Sequence, residues 1–453
     1  MYNIYRKFSS FEELVNDFLT RDGIAIRCGD MEGNTSEVSY RDFADMIISE
    51  SFLVKAECSS VEVVRYEQTV DSLVDIFAHV LAGCDVIIAD PRVPEGFNEF
   101  ATKVAESARN VREKQRDEFG RIKGSMDGEG ELLFFTSGTT SSSKIVRLTS
   151  RSLCTSAWSG QSMLPCGKGD VILSNLSLSH AYGFVCAMLW GLAYGATVAL
   201  GRDVLRFTGD ALFFKPTIIP TVPSQIDDML DKDALNPELR VVLIGGAPCP
   251  KFLVDRLREK GIDVYLGYGL TETSSGIAIT QDLDEPDAMY PCPGADIRIE
   301  EDGEITVATP CMMQGYLGRE PMFDDGRFFT GDLGWFDEKG RLHLKGRKND
   351  VLVLSDGDKI FCPEYEEALE QICCLPDMAV ILKDGEAVLV VGTCPKDPAI
   401  AADIKKKLVR EVDRFNRSIP HSRQISDIIM TSERLPRTVT GKIKRYELQK
   451  MFE

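Results

Sequence analysis

Short apolar runs alternate with helix-like stretches along the first two thirds of the chain. Many of these runs end in Gly, Ser, Thr or Pro, a pattern typical of buried strands. The runs are DVIIADP, ELLFFTS, DVILSNL, ATVALG, TIIPTV, VVLIGGA and DVYLGYG. Helix-like stretches lie between them, for example at residues 72–82 and 251–260. Because strands and helices alternate, we predict an α/β fold. Ligands in such folds gather at the carboxyl ends of the strands.

The pattern changes after Gly294. The segments DIRIEEDGEITVAT and GRFFTGDLGWFDEKGRLHLKG alternate apolar and polar residues around DG and KG turns, which predicts antiparallel hairpins. A charged junction, GRKNDVLVLSDG, follows, and beyond it come two strand-like runs and the basic helical stretch DIKKKLVREVDRF. We therefore predict a large multi-sheet N-terminal domain at residues 1–348 and a small α+β C-terminal domain at residues 349–453.

The composition is that of a soluble globular protein. The chain has 453 residues, of which 43% are hydrophobic and 27% are charged, and this length favours two or three domains. No window approaches eighteen apolar residues, and the first residues are polar, so we expect neither a membrane-spanning helix nor a secretory signal. Thirteen cysteines without a CxxC pair and only four histidines give no zinc pattern. We expect reduced thiols and a cytoplasmic location.

The net charge is unevenly distributed. A formal charge of −19 at pH 7 argues against a nucleic-acid-binding protein. In contrast, residues 401–453 hold 13 Lys and Arg against seven Asp and Glu. This basic tail is either a solvated helix face or a surface that meets an anionic small molecule.

In the stretch FFTSGTTSSSKIVRLT, residues 136–143 place seven hydroxyl residues around one glycine, and Lys144 follows. Such a run is either a flexible linker or a phosphate-binding loop. Apolar strands on both sides argue against a linker. Backbone N–H groups in a glycine-containing turn, hydroxyl groups and a cation can surround a polyphosphate. The loop is not a Walker A motif, because it lacks the GxxxxGK[ST] spacing.

Further motifs follow in a fixed order: SLSHAYGF, LIGGAPCP, YGLTETSSG, FTGDLGWFDEKGRLHLKGRKND and LPRTVTGKIKR. This series resembles the acyl-adenylate-forming superfamily, which contains acyl- and aryl-CoA synthetases, luciferases and the adenylation domains of peptide synthetases. The resemblance extends over nearly the whole chain. Each motif is weak by itself, and their order makes the resemblance specific.

The resemblance implies an ATP site. The β- and γ-phosphates would be held by the hydroxyl-rich loop, through Thr136, Ser137, Gly138, Thr139, Thr140 and Lys144. The adenine base would be lined by the first residues after a strand, namely Gly245, Gly246, Ala247 and Pro248, whose glycines let the backbone approach closely. Tyr268 would stack on the base, with Gly269 beside it in the same motif. The family usually has Gly and Pro where Ser141 and Ser143 stand, which puts the loop's shape and the catalytic rate in doubt.

The same resemblance implies the catalytic groups. Thr271 would hydrogen-bond the α-phosphate, and Glu272 would bind magnesium, a hard cation that offsets charge during attack. The alternative for Glu272 is a surface or helix-capping carboxylate. Lys442 matches the lysine that reaches the reacting carboxylate and the α-phosphate, although an exposed lysine in a basic tail has no meaning by itself.

Two further residues are implied to bind the ribose. Asp332, in TGDLGW, matches the residue that accepts both ribose hydroxyls, although an Asp at this point can also cap a turn. Arg347 matches a second contact to the ribose and phosphate.

His180 stands where acyl- and aryl-CoA synthetases often have an aromatic residue or a histidine that guards the acyl pocket. A plain core histidine is the alternative. Amino-acid-activating relatives usually place an Asp near this point to pair with the ammonium group. Residues 171–201 contain no acidic residue. We therefore expect a carboxylic acid without an α-amino group.

The resemblance implies an AMP-forming acid–thiol ligase that uses ATP, Mg²⁺ and CoA, with a C-terminal domain that turns about Asn349. At this hinge position the family usually has Asp or Lys. The phrase RKNDVLVLSDGDKIFCPEYEE is most similar to the fatty acyl-CoA branch and suggests an aliphatic acid. Two alternatives stay open: an adenylating enzyme that loads an acyl carrier protein, and a nucleotide-binding regulator without turnover.

Overall fold

The computed structural model describes residues 5–30, 32–57, 61–89, 128–135, 144–202, 206–317, 323–355, 358–373, 377–395, 397–437 and 443–452. The helices in these ranges are α1 (Phe11–Phe18), α2 (Tyr40–Glu57), α3 (Val70–Leu81), α4 (Ser150–Met163), α5 (Ala181–Phe184), α6 (Trp190–Tyr194), α7 (Phe207–Phe214), α8 (Pro223–Asp231), α9 (Lys251–Glu259), α10 (Cys362–Cys373), α11 (Pro398–Asn416) and α12 (Arg445–Phe452). A π-helical turn joins α5 to α6 at Val185–Leu189, and short 3₁₀ turns lie at Thr271–Thr273, Lys348–Asp350 and His421–Arg423.

The strands carry the names used below. They are β1 (Ile24–Gly29), β2 (Thr35–Ser39), β3 (Val61–Arg65), β4 (Asp85–Ala89), β5 (Glu131–Phe135), β6 (Ile145–Thr149), β7 (Val171–Ser174), β8 (Thr197–Leu200), β9 (Ile218–Thr221), β10 (Val241–Ile244), β11 (Asp263–Leu270), β12 (Ser275–Thr280), β13 (Met289–Pro291), β14 (Asp296–Ile299), β15 (Glu304–Ala308), β16 (Gly315–Tyr316), β17 (Phe328–Phe336), β18 (Leu342–Arg347), β19 (Val351–Val353), β20 (Lys359–Phe361), β21 (Met378–Lys383), β22 (Glu386–Val391) and β23 (Ile425–Met430).

The strands form four sheets. A 13-stranded sheet has the order β14-β15-β17-β18-β13-β12-β11-β10-β9-β7-β8-β1-β2, and a five-stranded sheet has the order β16-β6-β5-β4-β3. A two-stranded sheet, β19-β20, and a three-stranded sheet, β21-β22-β23, follow along the chain. The predicted α/β class with a large multi-sheet region is confirmed.

The elements form for local reasons that the sequence contains. The Thr69 side chain accepts a hydrogen bond from the N–H of Ser72 and caps α3, so the helix begins two residues before the predicted 72–82 stretch. Helix α9, predicted at 251–260, is found at Lys251–Glu259. The predicted hairpins are the antiparallel pairs β14–β15 and β17–β18.

Parallel strands bring their carboxyl ends to one edge of the large sheet. Strands β9, β10 and β11 pair in parallel and in register, so Thr221, Ile244 and Leu266 lie side by side. The chain leaves β10 into the glycine-containing loop at Gly245, and β11 continues to Leu270. The predicted base-lining segment and the predicted magnesium motif therefore follow two neighbouring strands at this edge.

The apolar clusters divide along the chain. Every member of the three clusters built on the large and five-stranded sheets lies at or before Leu342. The members of the two remaining clusters lie at or after Leu352. The proposed domain boundary near Asn349 falls in the interval and stays a prediction.

Two further expectations concern the state of the cysteines and the presence of membrane-spanning helices. Nine cysteines in the described ranges are free, as expected, whereas Cys84 is disulfide-bonded, so the expectation of reduced thiols is wrong for that residue. None of the described helices is long and apolar enough to cross a membrane.

Candidate active site

The hydroxyl-rich loop lies between two paired strands. Phe135 at the end of β5 faces Ile145 at the start of β6 in an antiparallel pair, and both residues are buried. The flanking strands predicted from the sequence are therefore confirmed. The predicted phosphate-binding positions Thr136, Ser137, Gly138, Thr139 and Thr140, together with Ser141 and Ser143, lie outside the described residues.

Lys144, the last residue of this loop, lies over an aromatic ring. Its Nζ is 4.7 Å from the ring centroid of Tyr316. The phenol of Tyr316 in turn donates a hydrogen bond of 2.8 Å to Oε1 of Glu272, the predicted magnesium ligand. One buried tyrosine thus contacts both the predicted phosphate-binding cation and the predicted metal-binding carboxylate. No sequence motif singled out Tyr316.

A second group forms around Asp332. The hydroxyl of Tyr268 donates to Oδ2 of Asp332 at 2.8 Å, and Arg347 Nε lies 2.8 Å from Oδ1. Burial raises the pKa of the Tyr268 phenol well above its usual value, and the charge of Asp332 adds to this, so the hydroxyl stays protonated as a donor. The predicted ribose ligands and the predicted stacking residue are therefore brought into contact.

The hairpin register explains the Asp332–Arg347 pair. Asp332 on β17 lies directly opposite Arg347 on β18, where cross-strand side chains are neighbours. Arg347 also donates to the carbonyl of Thr330 at 3.2 Å. Gly331 has a φ of 70°, in the left-handed region that favours glycine. The carboxylate is thereby held by two side chains, Tyr268 and Arg347, and Arg347 is itself held by the Thr330 carbonyl.

The base-lining segment packs on a half-buried tyrosine, Tyr182. A Cβ atom added to Gly245 would lie 3.0–3.4 Å from three ring atoms of Tyr182. The Tyr182 hydroxyl lies 2.8 Å from the carbonyl oxygen of Leu243 and accepts the N–H of Thr221 at 3.2 Å. Tyr182 therefore ties the ends of β9 and β10 together beneath Gly245, while Gly246, Ala247 and Pro248 are exposed or half-buried.

The segment that carries Thr271 and Glu272 has a strained backbone. Ser274 and Ser275 have φ values of 54° and 107°, a region that costs a residue other than glycine about 1–3 kcal/mol. At Gly269 an added Cβ would lie 1.8 Å from the carbonyl oxygen of Ser275, so a side chain has no room there. This tight bulge turns the chain from β11 into the Thr271–Thr273 turn and presents Glu272 half-buried.

The two remaining predicted catalytic residues are His180 and Lys442. His180 precedes α5, is half-buried, and its carbonyl accepts the N–H of Phe184. Lys442 lies outside the described residues. The nearby Arg445, at the start of α12, forms an ion pair with Asp350 at 2.9 Å.

The donor set fits magnesium. In the described part of the chain no group of three or more His, Cys, Asp or Glu side chains could hold a metal ion. Magnesium usually keeps several waters and is bound through one or two carboxylates together with substrate phosphates. A single carboxylate at Glu272, next to the end of a predicted triphosphate loop, is the arrangement that this chemistry needs.

Comparison with known proteins also indicates an AMP-binding enzyme. A family model described as AMP-binding enzyme matches residues 131–317. The 2-succinylbenzoate–CoA ligase of Bacillus mycoides is 31% identical over 348 residues, which cover 72% of this chain and 71% of that protein. The corresponding ligase of Bacillus velezensis is 33% identical over 299 residues, and the match spans 61% of each protein.

The fold agrees as well. The structure of o-succinylbenzoate CoA synthetase from Bacillus subtilis, in complex with its acyl-adenylate intermediate, superposes with a TM-score of 0.79 at 21% identity. The superposition covers 96% of this chain and 97% of that one. The chain belongs to the acyl-adenylate-forming superfamily of AMP-binding enzymes, which confirms the resemblance found in the sequence. The relatives do not support an aliphatic acid, because the names of the ligases specify 2-succinylbenzoate.

Proposed function

We propose that the protein is an ATP-dependent carboxylate–CoA ligase that works through an acyl-adenylate. The observation that carries this proposal is that the end of β11 contributes to two groups of charged and polar side chains, through Tyr268 within the strand and Glu272 two residues beyond it. Asp332, with Tyr268 and Arg347, forms one group, and Glu272, with its Tyr316 contact, forms the other. The first suits a ribose, and the second suits a magnesium ion on a phosphate chain.

In the first half-reaction an oxygen of the substrate carboxylate attacks the α-phosphorus of ATP. A new P–O bond forms, the bond to the bridging oxygen of the β-phosphate breaks, and pyrophosphate leaves. Thr271 donates to the α-phosphate, and Lys442 holds the attacking carboxylate in line. The hydroxyl-rich loop and Lys144 bind the β- and γ-phosphates. Glu272 would hold magnesium, which would offset the charge that grows during attack.

In the second half-reaction the CoA thiol attacks the acyl carbon of the adenylate. A C–S bond forms, the thiol proton passes to solvent, the C–O bond to AMP breaks, and AMP leaves with that oxygen on its phosphate. The C-terminal domain turns about Asn349 between the two steps, so that Lys442 leaves the site before the thiol enters. Such conformational steps commonly separate the chemical events of an enzyme.

The acid is one without an α-amino group, because residues 171–201 offer no carboxylate to pair with an ammonium. We propose an aromatic acid of the 2-succinylbenzoate type as the first substrate to test, on the strength of relatives that are 31% and 33% identical. An aliphatic acid, suggested by the sequence around Asn349, is the second.

The test is a panel of acids with Mg·ATP, read as pyrophosphate release with and without CoA. We expect release with 2-succinylbenzoate or another acid that lacks an amino group, thioester formation only with CoA, and loss of both when magnesium is removed with EDTA. An amino acid as the preferred substrate would contradict the substrate class. Thioester formed only on an acyl carrier protein would contradict the acceptor.

Glu272→Gln provides the matched control for the metal. It keeps the size of the side chain and removes its charge, so adenylation should fall by about a hundredfold or more. Activity that is equal in wild type and variant would overturn the assignment of Glu272.

A further inference from the structure

We propose that Tyr316 is a positioning residue that aims the Glu272 carboxylate at magnesium and couples it to Lys144. The proposal rests on the proposed function, because it concerns the same nucleotide site. Tyr316 is 3% exposed, so its ring and hydroxyl lie inside the protein.

The backbone holds Tyr316 in place. Its strand, β16, pairs with β6, and the N–H groups of Gln314 and Leu317 donate to the carbonyls of Arg147 and Ile145 at 2.9 and 2.8 Å. Strand β6 begins directly after Lys144. The ring is therefore fixed relative to the end of the phosphate-binding loop.

Glu272 is held twice by the same segment. Its carbonyl accepts the N–H of Met313 at 2.8 Å, and its Oε1 accepts the hydroxyl of Tyr316 at 2.8 Å. A phenol is a neutral donor, so it orients the carboxylate without cancelling its charge. Hydrogen bonds from outside partners of this kind orient metal ligands, and their loss commonly reduces metal affinity 10- to 100-fold.

Lys144 is held by another part of the same side chain. Its ammonium lies over the ring face, where the ring quadrupole attracts a cation. A direct ion pair between Lys144 and Glu272 would use up the charge that the phosphates and the metal each need. With Tyr316, the ring face contacts the cation and the hydroxyl contacts the anion, and neither contact neutralises the charge of its partner.

The experiment measures the affinity of α,β-methylene-ATP by calorimetry, with and without magnesium, so that no turnover is needed. In Tyr316→Phe the ring remains and the hydroxyl is lost. We expect an unchanged affinity without magnesium and about a tenfold loss of the gain that magnesium gives. In adenylation assays the half-saturating magnesium concentration should rise by the same factor, while the rate at saturating magnesium recovers.

Two other substitutions separate positioning from packing. Tyr316→Leu removes the ring as well and should weaken the affinity without magnesium about 3- to 30-fold, because Lys144 loses its partner. Tyr316→His keeps a flat ring and an N–H donor and should recover part of the magnesium effect. If magnesium increases the nucleotide affinity of Tyr316→His no more than that of Tyr316→Leu, the proposal is contradicted. This comparison can be made even if Tyr316→Phe does not fold.

Tyr40→Phe is the matched control. It removes a buried hydroxyl that donates to the carbonyl of Ala196 at 2.7 Å, and it should leave the magnesium effect unchanged. If Glu272→Gln loses the magnesium effect and Tyr316→Phe retains it, the proposal for Tyr316 is overturned and the proposed function stands. If the wild type itself shows no magnesium effect, both are overturned.

Discussion

Gly245→Ala is expected to weaken ATP binding by pushing the base-lining segment off its support. The new Cβ would lie 3.0, 3.2 and 3.4 Å from ring atoms of Tyr182, closer than ordinary carbon–carbon contact. The ring cannot retreat, because it is fixed by its hydroxyl contacts with Leu243 and Thr221. The backbone at Gly245 must move instead, toward the place where the base is proposed to bind.

The magnitude follows from the cost of overpacking. Adding a methyl group to a well-packed interior typically costs about 1–3 kcal/mol. If ATP binding has to restore the original loop position, its dissociation constant rises by about 5- to 150-fold. Calorimetry with ATP measures this dissociation constant directly. A lower melting temperature of the variant, with unchanged ATP affinity, would show that the overpacking destabilises the fold instead.

Two comparisons decide the cause. Gly160→Ala, on α4, places a methyl group in open space and should leave ATP affinity within about twofold, since alanine favours a helix. Combining Gly245→Ala with Tyr182→Leu removes part of the obstructing ring, so the double variant should bind ATP better than the sum of the two single effects. Strictly additive losses would refute the steric argument.

Three further predictions test other contacts. Tyr268→Phe should raise the KM for ATP about tenfold or more with little change in kcat, because Asp332 loses a charge-assisted hydrogen bond; an unchanged KM would contradict this. Lys442→Ala should lose adenylation by at least about a hundredfold in pyrophosphate release, yet convert supplied acyl-adenylate and CoA at a near-normal rate, whereas Lys444→Ala should be mild; normal adenylation would show the assignment to be wrong. Asn349→Pro should spare adenylation and abolish thioester formation, because it stiffens the hinge; if both half-reactions fall together without loss of thermal stability, the hinge lies elsewhere.

The sequence was sufficient to predict the parts of the site whose residues are close together along the chain or lie in one hairpin. Apolar runs that end in turn residues located β10 and β11, and parallel pairing then places their ends at one edge. The DG and KG turns defined hairpins, and the register of one hairpin is enough to set Asp332 opposite Arg347. Both results follow from periodicity and turn chemistry, which are local properties.

Tyr182 and Tyr316 could not be found in this way. Tyr316 meets Glu272 from 44 residues away, and Tyr182 meets Leu243 from 61 residues away. Neither spacing belongs to a helix or a hairpin, so no periodic pattern reports it. The available signal was weaker: a buried tyrosine usually needs a partner for its hydroxyl. That rule predicts that a partner exists and leaves its identity to the tertiary structure.

The charges around Asn349 give the proposed hinge a physical basis. On one side, Lys348 reaches Asp302 and Glu304 at 2.7 Å each, and these two carboxylates raise its pKa above the usual range. On the other side, Asp350 is paired with Arg445 on the last helix. The two neighbours of Asn349 are thus anchored to opposite parts of the chain, while Asn349 itself is exposed. A rotation centred on this residue would keep both sets of ion pairs, because Lys348 would move with Asp302 and Glu304, and Asp350 would move with Arg445. This favours the prediction that the turn is confined to Asn349, as the Asn349→Pro experiment requires.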